Sequence, residues 1–305
     1  MKNYVNALAF AGVSSAVLLL SLPSPVTAEE ITPSHVFQST DNIISELSSM
    51  HEANFSTPEK SRLKLTPRRP RHVFQKAREV YLKVQRLKEA KGESAVSLKP
   101  FPVRAVKPHD VKELVDNSLS DLQKLRGKFG SKKPEAVAMP KGKTPTDVYM
   151  NLSHAGAYID SLGIPKTVPN DVYQLAQTII GDLKTIRAKK GITSEINEPP
   201  AASGKKPSDV YLESLALLEK LKKLTDNPDY AIPGGVVLLK KVSGRITPGI
   251  VLDALNNSLA EVGAIKQVSG VSDPTVIAPK QSGKTPSDVY MAVKKTQAIV
   301  DTLIQ

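Results

Sequence analysis

Cationic side chains concentrate between residues 60 and 91, and they are the most distinctive chemical feature of the sequence. This segment holds 12 lysines and arginines against two acidic residues, while the net charge of the whole chain is +12. A concentration of like charge attracts polyanions through its summed field and through the counterions that binding releases. The candidate binding residues are Arg68, Arg69, Arg71, Lys76, Arg78, Lys83 and Arg86.

Two interpretations of this basic segment remain open. In the first, it contacts an anionic polymer of the cell envelope, such as lipopolysaccharide, exopolysaccharide or DNA. In the second, it is a solvated helix face or an interface with a protein partner, and it binds no polyanion. Counterion release makes polyanion binding weaken steeply as salt rises, so a titration at two salt concentrations separates the two interpretations.

Two of the five histidines occupy equivalent places in an internal repeat. His35 and His72 stand where five other copies have aspartate. Histidines on adjacent parallel helices are one source of metal ligands. The simpler interpretation is that both are first-turn residues of a helix, and we predict neither a metal nor a cofactor.

The residue types that perform catalysis are absent or lack a recognisable spacing. The chain has no cysteine, which excludes thiolate catalysis, disulfides and Cys-ligated zinc. The sequence contains no HExxH motif and no nucleophile elbow, and nothing marks a serine as activated. We therefore predict a protein without enzymatic activity.

The first 28 residues have the three parts of a secretory signal peptide. Lys2 supplies a positive start, residues 7–22 form an apolar run, and small residues precede Glu29. This run is shorter than the roughly 20 residues that a membrane-spanning helix needs. We predict cleavage between Ala28 and Glu29, no transmembrane segment in the mature chain, and a periplasmic or secreted location.

A short phrase that contains proline recurs eight times and organises the rest of the chain. Its clearest copies read TPTDVY at 144–149 and TPSDVY at 285–290. The distances between successive prolines are 37, 38, 37, 24, 38, 41 and 38 residues, so the period is about 38. The prolines are Pro33, Pro70, Pro108, Pro145, Pro169, Pro207, Pro248 and Pro286.

The residues after each proline predict an amphipathic helix. Apolar side chains recur 3, 7, 10, 14 and 17 positions after it, which is a heptad seam over about 18 residues. Proline suits the first helical position, and a pair such as Thr144 and Asp147 caps the helix start. The alternative is that the aspartate and tyrosine of the phrase line ligand sites.

These patterns predict an all-α fold of eight helices joined by long, extended, proline-rich linkers. The short connection at 163–168 divides the mature chain into 29–164 and 165–305, which we predict to be two four-helix bundles. The competing arrangement is a single eight-helix assembly. The predicted helices cover 33–50, 70–90, 108–127, 145–162, 169–190, 207–225, 248–266 and 286–304.

The sequence as a whole favours a non-catalytic interaction or scaffold module. Its basic second repeat would contact an envelope protein or an anionic polymer. The alternative is a sensory-type bundle that holds a small molecule between its helices. Such a pocket needs polar groups within the apolar seam, and the seam is interrupted at Gly156, Ser214 and Gln297.

Overall fold

The computed structural model describes residues 30–63, 66–101 and 103–305, so the predicted signal peptide and its cleavage site lie outside the described residues. Within them the chain forms eight α-helices, one short 3₁₀ helix at Pro228–Tyr230 and no β-strand. No helix in this part of the chain is long and apolar enough to cross a membrane. The α-helices are α1 (Pro33–Ala53), α2 (Pro70–Ala90), α3 (Pro108–Phe129), α4 (Pro145–Ser161), α5 (Pro169–Lys189), α6 (Pro207–Leu224), α7 (Pro248–Val268) and α8 (Pro286–Ile304).

The all-α fold and the number of helices are therefore as predicted, and every helix begins at one of the recurring prolines. The first turn of seven helices is capped by the same local hydrogen bond. The third helical side chain accepts a hydrogen bond from the backbone N–H before the proline, as Asp147 Oδ2 does from Thr144 at 2.8 Å. His35 and His72 do the same through Nδ1, at 3.1 Å each. The other pairs are Asp110 with Lys107, Asp171 with Val168, Asp209 with Lys206 and Asp288 with Thr285.

Helices α1 to α4 run parallel, with their proline ends together. The prolines and valines that begin these four helices surround one small apolar recess. The register persists along the helices, because Asn151 of α4 bonds to Asp41 of α1 and Lys83 of α2 bonds to Asp160 of α4. Around the bundle the order is α1, α3, α2, α4. Parallel neighbours need long return connections, which accounts for the extended linkers.

Helices α5 to α8 repeat this arrangement in detail. The order around the second set is α5, α7, α6, α8. The ion pair between Lys83 and Asp160 has its counterpart in Lys220 of α6 and Asp301 of α8, at the same positions in the repeat. The contacts between helices and linkers also repeat. Gln38 of α1 donates to the Val137 carbonyl at 2.9 Å, and the equivalent Gln174 of α5 donates to the Ala278 carbonyl at 2.7 Å. The two sets are thus copies of one four-helix unit.

Two hydrophobic cores form, one within each set of four helices. The first contains Leu47, Leu122 and Ile159, and the second contains Leu183 and Leu221, all with no exposed surface. Residues 31–305 nevertheless form one compact unit, in which α2 of the first set packs on α7 of the second. That each set folds by itself stays a prediction.

Candidate functional site

The basic second repeat lies at the join between the two sets of helices. Helix α2 runs antiparallel to α7 at this join. His72, in the first turn of α2, bonds to Glu261 in the second half of α7. Arg86, near the end of α2, forms an ion pair with Asp171 at the start of α5. Four of the seven candidate residues are buried: Arg68, Lys76, Arg78 and Lys83. Their surroundings decide what each of them can bind.

Arginines at the start of α2 form hydrogen bonds with a turn in the linker between α6 and α7. Arg69 donates to the carbonyl oxygen of Gly234, and its guanidinium lies so close that a Cβ on that glycine would fall 2.0 Å from the arginine Cζ. Arg71 donates to the Gly235 carbonyl at 2.6 Å and to Glu261 Oε2 at 2.8 Å. Both arginines therefore have partners within the protein, although Arg69 is exposed.

His72 and Glu261 form a fully buried pair next to these arginines. Because Nδ1 of His72 accepts from the Arg69 N–H, the proton sits on Nε2, which donates to Glu261 Oε1 at 2.9 Å. Burial lowers the pKa of His72, and this effect exceeds the opposing attraction of Glu261. Burial alone would raise the pKa of Glu261, but the bond from His72 and the charge of Arg71 lower it. The pair is a neutral imidazole donating to a carboxylate.

A second buried network joins α2, α4 and α7 farther along. Asp253 Oδ1 lies 2.5 Å from Lys76 Nζ and accepts from the Tyr149 hydroxyl at 2.6 Å. Asn257 donates to the same hydroxyl at 3.1 Å. Burial lowers the pKa of Lys76, yet the charges of Asp253 and Glu79 outweigh it and raise that pKa well above its ordinary value. Burial and the charge of Asp253 also raise the pKa of Tyr149. Both groups keep their protons at neutral pH and serve as donors.

The remaining paired cations tie α2 to other helices. Lys83 Nζ lies 2.7 Å from Asp160 of α4, and Arg86 lies 2.9 Å from Asp171 of α5. Arg68 is different, because its Cζ lies 4.3 Å from the centre of the Tyr149 ring and its Nε and Nη1 atoms have no hydrogen-bond partner among the described residues. Most of the positive charge of this repeat is thus matched by carboxylates or rings within the molecule.

Arg78 is a second buried cation without a carboxylate partner among the described residues, and it lines a cleft. Arg78 is only 6% exposed, and its one hydrogen bond to a described residue runs from Nη1 to the carbonyl oxygen of Lys99 at 3.3 Å. Its Cζ lies 4.4 Å from the centre of the Phe101 ring. No carboxylate among the described residues lies within ion-pair distance of it. Burial lowers the pKa of Arg78 to about 10, so the guanidinium remains charged at neutral pH.

The cleft beside Arg78 has a volume of about 650 Å³ and lies between α2, α3, α7 and the linker from α2 to α3. Its walls are mainly apolar. The charged side chains among them are basic, apart from Asp110, which is paired with Arg104, and the exposed Glu113. The apolar wall residues include Phe74 and Tyr81 of α2, Leu114 of α3, Leu98 and Val103 of the linker, and Leu259, Ala260 and Ala264 of α7. The cleft is therefore a concave surface of the kind that holds small molecules.

The positions that interrupt the seam do not line this cleft. Gly156 presents its carbonyl to Lys83 at 3.4 Å, Ser214 donates to the Val210 carbonyl at 2.9 Å, and Gln297 donates to that of Glu213 at 2.9 Å. These interruptions are satisfied by local hydrogen bonds. The described ranges also contain no group of three or more metal-ligating side chains.

Sequence reasoning included Arg78 among the candidates but missed the acidic partners of its neighbours and the wall of the cleft. One signal was present in α7, where Asp253, Asn257 and Glu261 follow one another at intervals of four and so share one helix face. A polar stripe on an otherwise apolar helix indicates a buried polar contact. Phe101, an isolated aromatic residue in a proline-rich linker, carried no comparable signal. No protein-family model, no curated protein and no solved structure matches this chain significantly.

Proposed function

We propose that the protein is a non-catalytic binding module of the bacterial envelope, and that its ligand enters the cleft between α2, α3 and α7. The observation that carries this proposal is the combination of a volume of about 650 Å³ with mainly apolar walls and a buried guanidinium, that of Arg78, which has no carboxylate partner among the described residues. Pockets for drug-sized ligands have volumes of about 300–1,000 Å³ and a few placed polar groups.

The state of the buried titratable groups supports a binding role over a catalytic one. General bases and nucleophiles work best with a pKa near the operating pH. The pKa of Lys76 and that of Tyr149 are instead displaced upward, away from neutrality. Asp253 and Glu261 are paired, and their pKa values are lowered. Such groups hold the two bundles together, and the proposal assigns none of them a step in a reaction.

The geometry supports contact with an envelope polyanion less well than it supports the cleft. Counterion release requires cations that reach the polymer, whereas four of the seven candidate residues are buried. A role as a scaffold for an envelope protein also stays a proposal. The placement of the protein in the envelope rests on the signal-peptide pattern of residues 1–28.

A neutral fluorescent probe tests the cleft without testing its charge. Nile red should bind the full mature chain with one site, and Ala264→Trp, which fills the cleft from α7, should abolish that binding. Ala201→Trp is the matched control, because Ala201 lies exposed on a linker and away from the cleft. Circular dichroism verifies that both variants remain helical. Equal Nile red binding by the two variants would show that the cleft is not a binding site.

A further inference from the structure

We propose, on the basis of the cleft-binding function above, that the ligand is a small amphipathic molecule with a single oxyanion head group, which Arg78 binds while the apolar body lies along the walls. A carboxylate and a phosphate monoester share the required chemistry. Both are planar or multi-oxygen acceptors that match the fork of an arginine.

Arg78 has donors to offer. A guanidinium carries five N–H groups, and one of them bonds to the Lys99 carbonyl. One face of the group is covered by Phe101, at 4.4 Å from the ring centre, and Phe74 lies edge-on to that ring with 5.7 Å between centroids. The two rings restrict the guanidinium, and Arg78 lines the cleft.

Three of the other cations around the cleft already have partners within the protein, and the fourth, Lys99, is exposed to solvent. Arg71 is bound to Glu261 at 2.8 Å, and Arg104 holds Asp110 through its Nη1 at 2.8 Å. Arg69 donates to the Gly234 carbonyl. Among the described cations that line the cleft, Arg78 is thus the one that is buried and has no carboxylate partner, so it is the principal site of attraction for a ligand with one negative charge.

An unmatched buried cation is costly, and an anionic ligand removes that cost. Taking a charged group out of water without an opposite charge or full hydrogen bonding is strongly unfavourable. Arg78 is 6% exposed, and within the described part of the chain it has no carboxylate partner such as Lys76 and Lys83 have. Its charge cannot be relieved by losing a proton at neutral pH, so an incoming oxyanion supplies the missing partner.

The walls define the rest of the ligand. Leu98 and Val103 of the linker face the same space as Leu259 and Ala264 of α7. These side chains offer aliphatic surface and no donors or acceptors of their own. An aliphatic body is stabilised there by removing its apolar surface from water, whereas a polyhydroxylated body would lose its hydration.

The test compares four probes with the same ten-carbon chain, each below its micellar concentration: decanoate, decyl phosphate, decan-1-ol and decylammonium. Isothermal titration to the full mature chain should show decanoate or decyl phosphate bound at least tenfold more tightly than the alcohol, with decylammonium weakest. A charge-assisted hydrogen bond accounts for roughly ten- to hundredfold in affinity. The preferred anion identifies the head group.

A variant series then assigns the effect to Arg78. Arg78→Met, which keeps the length and removes the charge, should weaken the anion roughly tenfold or more and leave decan-1-ol unchanged. Arg245→Met is the matched control, since Arg245 is exposed and lies outside the cleft. If Arg78→Met loses its helical signal, the wild-type probe series still decides the question.

The outcomes separate this inference from the proposed function. If Nile red binds but the alcohol or decylammonium binds as tightly as both anions, the oxyanion assignment is wrong and the cleft remains a binding site. Unchanged anion binding in a folded Arg78→Met variant overturns the assignment in the same way. If neither Nile red nor any of the four probes binds, the proposed function fails and the inference fails with it.

Discussion

The guanidinium of Arg68 covers the ring of Tyr149, with its Cζ 4.3 Å from the ring centre. Arg68 stands two residues before the proline of α2, and Tyr149 stands four residues after the proline of α4. The same pair of repeat positions meets three more times, with Cζ or Nζ 4.2–4.6 Å from the ring centre: Lys143 with Phe37, Lys205 with Tyr290, and Lys284 with Tyr173. The aromatic residue of the recurring phrase therefore receives a cation from a neighbouring helix start.

A double-mutant cycle measures this contact. Lys284→Met and Tyr173→Leu should show a coupling free energy of about 0.5–1 kcal/mol, as cation–π pairs at exposed sites do. The measurement is the free energy of unfolding in urea for the parent, both single variants and the double variant. Lys284→Met with Tyr290→Leu is the matched control, since Tyr290 receives Lys205 instead. Equal coupling free energies in the two cycles would contradict a specific interaction between Lys284 and Tyr173.

Gly234 and Gly235 should respond unequally to alanine. Both have a positive φ, of 73° and 65°, so each substitution costs about 1 kcal/mol through backbone strain. Only at Gly234 does the new Cβ also meet the guanidinium of Arg69. This guanidinium is the far end of a flexible, exposed side chain and can move aside, at the cost of its hydrogen bond to the Gly234 carbonyl. Gly234→Ala should therefore lower the free energy of unfolding by about 0.5–1.5 kcal/mol more than Gly235→Ala. Adding Arg69→Ala should recover that difference, and no recovery would mean that the arginine is not the obstacle.

Acid should weaken the join through His72. Its folded pKa is below its unfolded value of about 6.5, because burial disfavours the charged ring. A depressed pKa contributes stability that is present above the unfolded value and is lost as the pH falls through the folded one. Between about pH 7 and pH 5, the free energy of unfolding should decrease. His72→Asn should reduce this slope without abolishing it, because burial also lowers the pKa of His154. Identical slopes in parent and variant would contradict the assignment.

The two sets of helices should fold separately. Residues 29–164 and 165–305, expressed apart, should each unfold cooperatively, because each set has its own hydrophobic core. The first half should also bind heparin or DNA more tightly than the whole chain does in low salt, since separation exposes Lys76 and Arg71. Calorimetry and a salt titration measure the two effects. Failure of both halves to melt cooperatively would favour a single eight-helix assembly.

The helices could be predicted because their signals are local. A proline, a capping side chain and an apolar seam act within one helix, and α2 and α8 begin and end where the sequence predicted, at 70–90 and 286–304. The join between the bundles could not be predicted in the same way. Lys76 pairs with Asp253, which lies 177 residues later in the chain. A lysine that forms a buried ion pair has the same local sequence pattern as a lysine on a solvated helix face. The order of helices around each bundle depends on linker paths that carry no periodic signal.

The contact between α2 and α7 is head-to-tail, because it joins the second helix of one copy to the third helix of the other. Such contacts, repeated from molecule to molecule, build open filaments. The helices that hold the equivalent places at the two free ends are α6 and α3. Asp209 and Glu213 stand on α6 where α2 has His72 and Lys76, and Glu113 and Asp121 stand on α3 where α7 has Asp253 and Glu261. Stacking one molecule on the next in the same way would set carboxylate against carboxylate, and this repulsion opposes the addition of a further copy.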